Sequence, residues 1–468
     1  MKYNSIKISS VYAHNKIKAG YFLSDGVVAE EKVRKLPHEN LIDTLDYCSN
    51  IGGVNKRIYV TPENGLPLVS MSDLTKYDPK GICKFISKKI GTTTLKHLFK
   101  DQMIISAVVG GVGDTVIVNK ASEGCITGNN LIKLFSKREK YNGFLYAYLK
   151  SKYGNKIIKK LSGGAVQSYI DPELFKLIPV PIYPKDKQFS IHDLIIDASN
   201  LRVRGVKLLK KTQSLLKELA GLKDLKAEDY EYFGAHKSGR PTSTFKRNIN
   251  EISPVSINAF NYSKRVEKLE ERITKNNYLP LSKCLDEKQF FSTGSFKRVE
   301  IDSKSSIKLI NQSDIFNIDK KGKQLARKFV KGAKLVEYGE VVIAGVGSLG
   351  ESETFCRTLF ANEELEGELI SGEFIRMNTN ENVLPGYLYA FLSSDYGFRF
   401  IRKIQSGTKL CRPIPELLKR IPIPILDPSQ MKKIDADVKK AHTMLYDALL
   451  LEKKAIALFE EEMESWQG

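Results

Sequence analysis

The chain has 468 residues, of which 42% are hydrophobic and 27% charged, a composition that is ordinary for a soluble globular protein. No run approaches the roughly 18–20 apolar residues of a membrane-spanning helix, and residues 1–7 lead into no apolar signal core, so we expect a cytoplasmic protein with no membrane association. The 74 Lys and Arg outnumber the 54 Asp and Glu, which gives a net charge of +20 and a pI near 9.4. This excess favours a polyanionic partner such as nucleic acid.

The elements predicted in the first half of the chain recur in the second half. β-Branched residues between Gly or Pro boundaries predict short strands at 58–60, 66–71, 103–106 and 115–118, with counterparts at 299–301, 307–311 and 335–344. Aromatic and aliphatic residues at spacings of three and four predict helices over 141–161 and 384–404. We therefore expect two mixed α and β domains.

Repeated sequence supports the same division. Residues 143–149 read Gly-Phe-Leu-Tyr-Ala-Tyr-Leu and return at 386–392 as Gly-Tyr-Leu-Tyr-Ala-Phe-Leu, an offset of 243. The Ile-Pro-Val-Pro of 178–181 returns at 421–424 as Ile-Pro-Ile-Pro with the same offset. Each copy is long enough to close a hydrophobic core of its own. The chain is therefore predicted to be a tandem duplication whose two copies differ in their loops.

A long helix is predicted after each Ile-Pro-x-Pro segment, since the prolines themselves form an extended edge. Alternating steps of three and four residues predict a heptad seam in each helix. The seam residues are Ile191, Leu194, Ala198, Leu201, Gly205, Leu208, Thr212, Leu215, Leu219 and Leu222 in the first helix, and Met431, Ile434, Val438, Ala441, Leu445, Ala448, Ala455 and Phe459 in the second, where Glu452 interrupts the seam. We expect the helices to pair antiparallel; the alternative is that each packs on its own domain.

No motif indicates a catalytic, metal or cofactor site. Residues 345–350 match the Gly-x-Gly-x-x-Gly dinucleotide pattern, but Glu351 and Glu353 follow where a pyrophosphate would lie, so a tight turn is the better interpretation. Asp171 and Glu173 near Lys176 suggest a nuclease, yet the second copy lacks the aspartate. The six cysteines form no Cys-x-x-Cys pair and the six histidines are dispersed. We therefore predict no catalytic residue, metal or cofactor in this chain.

Short cationic clusters are the candidate DNA contacts, because Lys and Arg bind phosphates. Small polar loops at 162–167 and 406–409, repeated in place, would let amide groups approach a DNA groove. The candidate DNA-binding residues are Lys56, Arg57, Lys88, Lys89 and Gln167 in the first copy, and Lys297, Arg298, Arg327, Lys328, Lys331 and Lys409 in the second. A solvated surface explains any one of these clusters equally well.

This order of features resembles the specificity subunit of a Type I restriction-modification system. The resemblance covers nearly the whole chain, and it is carried by a strand with a Gly-x-x-Gly turn, small polar segments, Ser-Gly loops and the Ile-Pro-x-Pro exits. The matching residues are Asp101, Ser106, Gly110 and Gly113, in part Glu340, Gly347 and Gly350, and the segments 127–130 and 371–373. The chain departs from the family in a longer tether and in Gln188 and Gln430, which only approximate the usual position after each exit.

The resemblance implies an α/β (α+β) fold with two similar target-recognition domains, at 1–186 and 255–428. Two long helices, at 187–222 and 429–466, would form an antiparallel coiled coil, and 223–254 would be a linker. It implies a non-catalytic subunit that reads a bipartite, asymmetric site in double-stranded DNA and docks methyltransferase (modification) subunits and, through them, a restriction/translocase subunit. S-adenosylmethionine and ATP are expected on those partner subunits, with no cofactor in this chain.

Three alternatives stay open. One is the specificity chain of another bipartite-site restriction or methylation system. Another is a stand-alone methyltransferase or nuclease, against which the missing motifs argue. The last is a basic coiled-coil scaffold that binds only proteins.

Overall fold

The computed structural model describes residues 19–51, 57–81, 83–89, 97–163, 168–230, 244–303 and 305–466. The chain divides into two compact units. Unit 1 comprises residues 1–203 and 447–468, and unit 2 comprises residues 204–446. Both units mix helices with short strands, as predicted for a chain of mixed α and β structure.

Unit 1 is built on a four-stranded sheet with helices packed beside it. Its helices are α1 (Ala19–Phe22), α2 (Asp25–Arg34), α3 (Met71–Leu74), α4 (Asn142–Lys150), α5 (Lys152–Lys160), α6 (Pro172–Lys176) and the first part of the long helix α7 (Lys185–Leu219). Its strands are β1 (His38–Asn40), β2 (Tyr47–Ser49), β3 (Gly65–Leu68), β4 (Lys84–Ser87), β5 (Ile104–Ala107), β6 (Thr115–Ile117), β7 (Leu131–Phe135) and β8 (Pro179–Pro181). The main sheet has the order β2-β7-β5-β6, and β3-β4 and β1-β8 form separate antiparallel pairs.

Unit 2 contains the second copy of this plan. Its helices are the second part of α7, α8 (Lys264–Thr274), α9 (Pro385–Leu392), α10 (Asp395–Lys403), α11 (Pro415–Leu418) and the first half of the second long helix, α12 (Pro428–Ser465). Its strands are β9 (Tyr278–Pro280), β10 (Ser306–Ile310), β11 (Lys323–Ala326), β12 (Val341–Ala344), β13 (Thr358–Phe360), β14 (Leu369–Ile370), β15 (Phe374–Met377), β16 (Gln405–Ser406), β17 (Arg412–Pro413) and β18 (Pro422–Pro424). The sheets have the orders β11-β10-β14 and β13-β12-β15, with the pairs β16-β17 and β18-β9.

The two Ile-Pro-x-Pro segments are buried edge strands, each paired antiparallel with a strand from the start of its own copy. β8 pairs with β1 and β18 pairs with β9. The Leu41 N–H donates to the Ile178 carbonyl at 2.8 Å, and the Leu281 N–H donates to the Ile421 carbonyl at 2.9 Å. Equivalent contacts therefore support the predicted duplication.

The helices predicted over 141–161 and 384–404 are each divided into two. Ser151 begins α5 by accepting a hydrogen bond from the Gly154 N–H at 3.2 Å, and Ser394 begins α10 by accepting one from the Gly397 N–H at 3.4 Å. A serine at the N-cap favours a new helix start over continuation of the preceding helix. The prediction of one continuous helix in each copy was wrong for this reason.

Several predicted strands are shorter than expected. Segments 58–60 and 299–301 form only isolated bridges, Tyr59 with Ile86 and Glu300 with Leu325. The strand predicted at 66–71 ends at Leu68 because Ser70 and Asp73 form a capping box that starts α3. Of the range 335–344, only the last four residues form a strand, β12.

The seam predicted in the second long helix is buried at every position. Its residues Met431, Ile434, Val438, Ala441, Leu445, Ala448, Ala455 and Phe459 are all buried, as is Glu452. The seam predicted in the first long helix is only partly buried: Ile191, Ala198, Gly205, Thr212 and Leu222 are buried, Leu194, Leu201, Leu208 and Leu215 are half-buried, and Leu219 is exposed. Ile195 and Arg202 are buried more deeply than the neighbouring Leu194 and Leu201. Arg202 is buried as the partner of Glu452, which a purely hydrophobic pattern misses.

Within unit 1 the segments of the two long helices run antiparallel. The Lys187 Nζ lies 3.1 Å from a Glu462 carboxylate oxygen, and further along α7 Arg202 pairs with Glu452. The Tyr183 hydroxyl, just before α7, donates to the Phe459 carbonyl at 2.9 Å. The core of unit 1 therefore takes residues from the first copy and from the end of α12.

Candidate nucleic-acid interface

Three of the cations predicted in the second copy lie beside two half-buried phenylalanines. The Lys297 and Lys328 ammonium groups lie 5.4 and 4.9 Å from the centre of the Phe329 ring, and the Arg298 guanidinium lies 5.9 Å from the centre of the Phe296 ring. We call Lys297, Arg298, Arg327, Lys328 and Lys331 the Phe329 cluster; all five side chains are exposed. An aromatic face attracts a cation, so these rings hold the charges close together without neutralising them.

The local fold explains why the Phe329 cluster forms. The Lys297 N–H donates to the Phe329 carbonyl at 3.3 Å, and the Ala326 N–H donates to the Val299 carbonyl at 2.9 Å, which joins the two basic segments. Beneath them, Phe296 packs on a core cluster that contains Leu325 and Val330. Apolar residues thus fix the segments from below and leave the cations in solvent.

In the first copy, backbone pairing brings Arg57 opposite Lys88. The Ser87 N–H donates to the Ile58 carbonyl at 2.9 Å. Lys88 and Arg57, the chain neighbours of these two residues, therefore lie on facing segments. The Arg57 guanidinium also lies close to Gly128, in the small polar segment 127–130. Arg57, Lys88 and Lys89 are exposed. These three cations come from two clusters that are separate in the sequence, and together they form a second basic site.

The remaining predicted contacts are not brought together with these groups. Lys56 and Gln167 lie outside the described residues. Lys409 is exposed in the turn between β16 and β17, and no contact between it and the Phe329 cluster occurs in the described ranges. Sequence reasoning missed Lys84, whose ammonium lies 5.7 Å from the centre of the Tyr59 ring. A single lysine in a short strand gives no charge-cluster signal.

The Gly-x-x-Gly turn and the Ser-Gly loop lie against each other in both copies. The Gly110 N–H donates to the Ser168 carbonyl at 3.1 Å, and the Gly347 N–H donates to the Cys411 carbonyl at 3.2 Å. Ser168 and Cys411 are equivalent at the offset of 243 (168 + 243 = 411). Gly110 and Gly113 have φ of 82° and 93°, a conformation that favours glycine. The same assembly of turn and loop therefore lies at the equivalent position in each copy.

The turn at 345–350 is supported by arginines of α10 and not by a nucleotide-binding helix. The Arg399 guanidinium makes two hydrogen bonds to the Glu351 carboxylate, at 2.8 and 3.0 Å, and Arg402 donates to the Leu349 carbonyl. Burial, together with repulsion from Arg402, lowers the pKa of Arg357 to about 10. No helix follows Gly350 directly in the described part of the chain. The tight-turn interpretation is therefore supported, and the arginines that hold the turn were not found from the sequence because α10 brings two of them from 50 residues away.

The described residues contain no group of three or more His, Cys, Asp or Glu side chains placed to hold a metal ion. Among the same residues, no helix is both long and apolar enough to cross a membrane.

Comparison with known proteins identifies the class of the first copy. Residues 55–201 match the family model described as "Type I restriction modification DNA specificity domain". The matched segment contains the basic site at Arg57, the Gly110 turn and the start of α7. The search of curated proteins gave no match.

Two solved structures are similar over nearly the whole chain. The S subunit of the Type I restriction-modification system from M. genitalium is 16% identical, with 92% of this chain and 95% of that chain covered and a TM-score of 0.33. The HsdS subunit from Thermoanaerobacter tengcongensis is 12% identical, with 91% and 95% covered and a TM-score of 0.28. At these values the likenesses add no argument, and the assignment of residues 55–201 rests on the family model.

The matched segment defines the class of the first copy, a DNA specificity domain. By this match, residues 55–201 are a Type I restriction-modification DNA specificity domain, which agrees with the resemblance seen in the sequence for that part of the chain.

Proposed function

We propose that this chain reads a bipartite, asymmetric site in double-stranded DNA, with one target-recognition domain on each half. The domains would comprise residues 1–186 and 255–428, joined by a linker at 223–254. The long helices, at 187–222 and 429–466, would pair as an antiparallel coiled coil that sets the distance between the half-sites. A helix of about 30 residues spans roughly 45 Å, about 13 base pairs of rise.

One observation carries the proposal: the two copies share their supporting contacts and differ in their exposed cations. The Gly110 turn and the Gly347 turn each bind their Ser-Gly loop in the same way. By contrast, the first copy presents Arg57 beside Gly128, and the second presents the Phe329 cluster. Equal scaffolds with different surface groups are what recognition of two different half-sites needs.

The same proposal covers the candidate residues and the partners. Lys56, Arg57, Lys88, Lys89, Gln167, Lys297, Arg298, Arg327, Lys328, Lys331 and Lys409 would contact DNA. Methyltransferase subunits would dock on the paired helices and link the chain to the restriction/translocase subunit, with S-adenosylmethionine and ATP on those partners. The complex would act on DNA in the cytoplasm.

Charge reversal in the Phe329 cluster tests the DNA contact. The chain carrying K297E and K328E is compared with a matched variant carrying K432E and K433E, two exposed lysines on α12 outside the cluster. DNA affinity is measured by fluorescence anisotropy over a range of salt concentrations. Each lost phosphate contact should reduce the slope of log K against log salt by about 0.9, so the first variant should lose about 2 from the slope and the control should lose none. Equal slopes for the two variants would contradict the assignment of these lysines.

Docking is tested by adding the cognate methyltransferase subunits and measuring the mass of the complex by light scattering. We expect a stable complex with this chain, and no complex with a variant in which exposed charged residues of the long helices are reversed in sign. A chain that methylates or cuts DNA without partners would contradict the non-catalytic role.

A further inference from the structure

The seam between the long helices in unit 1 contains a buried ion pair. Arg202 and Glu452 are 2.5 Å apart, and their side chains are only 6% and 7% exposed. Glu452 also accepts a hydrogen bond from the Tyr146 hydroxyl at 2.9 Å and lies 3.8 Å from the Lys150 ammonium. Burial by itself would raise the pKa of Glu452, but Arg202 and Lys150 outweigh burial and hold it at about 2. The carboxylate is therefore charged and surrounded by partners from the first copy.

The repeat register continues into the long helices. The Gly143 N–H donates to His192 Nδ1 at 3.0 Å, and the Gly386 N–H donates to Asp435 Oδ1 at 2.8 Å. His192 and Asp435 are equivalent at the offset of 243 (192 + 243 = 435). Further buried residues of α7 and the segment after it match buried residues of α12 at this offset: Ile191 and Ile434, Ile195 and Val438, Ala198 and Ala441, Thr212 and Ala455, Leu216 and Phe459, Ala220 and Met463.

The ion pair breaks this symmetry. At the offset of 243, Arg202 corresponds to Leu445 and Glu452 corresponds to Leu209 (202 + 243 = 445; 452 − 243 = 209). Leu445 is 1% exposed, and Leu209 packs against the core of unit 2. The two equivalent places in the seam therefore carry charges in unit 1 and leucines in unit 2.

We propose that the Arg202–Glu452 pair makes the long helix of each copy select the long helix of the other copy and reject a helix of its own kind. Two first-copy helices paired with the same geometry would place Arg202 against Leu209. Two second-copy helices would place Glu452 against Leu445. Either arrangement buries a charge without its counter-ion, which costs far more than the pair gains over an apolar contact.

The other contacts of Glu452 add to this preference for a helix of the other copy. In a pairing of two second-copy helices, Tyr389 and Ser393 would stand where Tyr146 and Lys150 stand in unit 1 (146 + 243 = 389; 150 + 243 = 393). The hydroxyl donors would be kept, but both cations would be lost. A polar group in a helix seam is known to fix partner choice in this way, at a cost in stability.

The selection is tested with two full-length charge-reversed chains. R202E places two carboxylates at the pair, and E452R places two guanidinium groups there. We expect each chain alone to lose about 10 °C of melting temperature. Unfolding is followed by the fluorescence of Trp466, the single tryptophan, whose ring lies 5.7 Å from that of Tyr183 in unit 1. Refolded together, the two chains should form one-to-one dimers by exchanging helices, because each Glu then meets an Arg, and the melting temperature should recover.

Two further variants complete the test. The chain carrying both R202E and E452R should be a monomer that melts near the wild type, because the pair is restored in reverse. K187E reverses one side of another ion pair, with Glu462, in the same two helices, but Lys187 is 53% exposed, so this variant should melt like the wild type. Native mass spectrometry distinguishes monomers, mixed dimers and same-chain dimers.

The proposal is overturned if R202E and E452R each melt like the wild type, if their mixture melts no higher than its components, or if the double reversal does not recover. None of these readouts depends on DNA, so failure here is distinguishable from failure of the proposed recognition role.

Discussion

Arg376 and Glu340 form a doubly hydrogen-bonded ion pair in the core of unit 2, with donor–acceptor distances of 2.6 and 2.7 Å. Each side chain is only 1% exposed. Arg376 uses its remaining donors on the carbonyls of Lys334 and Leu335, both at 2.7 Å. This one side chain therefore ties β15 to the backbone that leads into β12.

Removing Arg376 should strongly destabilise unit 2. Arg376→Ala leaves a buried carboxylate and two unpaired carbonyls, so we expect a loss of about 3–5 kcal/mol of unfolding free energy. Urea unfolding followed by far-UV circular dichroism measures it. Lys323→Ala is the matched control: its pair with Glu300 is 55% and 60% exposed, so its loss should stay below about 1 kcal/mol. Equal losses in the two variants would contradict the role given to Arg376.

The equivalent place in the first copy holds Lys133, which lacks such a partner in the described residues. Lys133 matches Arg376 (133 + 243 = 376), and in the strand register Met103 stands where Glu340 stands, just before β5 and β12 respectively. The Lys133 ammonium donates to the Ile51 carbonyl, and its side chain is fully buried. Burial lowers the pKa of Lys133 to about 8.

Lys133→Met should therefore stabilise unit 1. Because the pKa is lowered on folding, the charged lysine costs stability below pH 8, and this cost disappears as the pH rises through 8 toward 10.5. We expect a gain of about 1–3 kcal/mol at pH 7 that shrinks above pH 10. Urea unfolding followed by Trp466 fluorescence at both pH values measures it. A variant that is less stable than the wild type at pH 7 would show that the lysine has a structural partner worth more than its burial costs.

His442 should make unit 2 sensitive to acid. It lies on α12 between the rings of Phe360 and Tyr389, at 5.0 and 5.2 Å, and burial followed by repulsion from Lys320 lowers its pKa to about 3. The unfolded chain takes up a proton below pH 6.5 while the folded chain does not, so stability falls as the pH falls from 6.5 toward 3.

His442→Phe removes this titration and keeps an aromatic ring against Phe360. Between pH 6.5 and 5 the wild type should lose about 2 kcal/mol more than the variant. Between pH 8 and 7 the two proteins should change alike. Circular dichroism unfolding at these four pH values measures the difference, and parallel curves throughout would refute the assignment.

Much of the fold could be predicted because its signals are local or repeated. The duplication appears in the sequence as matched segments, and the seam of the second helix is continuous in small and apolar residues, so all eight of its predicted positions are buried. The first helix shows the limit of this reasoning. Leu194 and Leu201 looked like seam residues, but Arg202 is the more deeply buried because it pairs with Glu452. That partner lies 250 residues away in the sequence, so a local pattern cannot show the pair.

For the candidate interface, the sequence predicted which basic residues could take part but not how they are arranged. Clusters of Lys and Arg are visible in the sequence, but their assembly around Phe329 depends on hydrogen bonds between segments 297–299 and 326–329. The position of Arg57 opposite Lys88 likewise depends on an isolated bridge at Tyr59, where the sequence predicted a full strand. Whether these cations contact DNA stays a prediction.

The most direct measurement of the central claim is a hydroxyl-radical footprint of the chain with its cognate methyltransferase subunits on the DNA that the complex recognises. Recognition of a bipartite site predicts two short protected blocks separated by an unprotected spacer, and the chain carrying K297E and K328E should lose protection of one block while keeping the other. A single continuous block, or equal loss of protection throughout, would contradict reading of two half-sites by two separate domains.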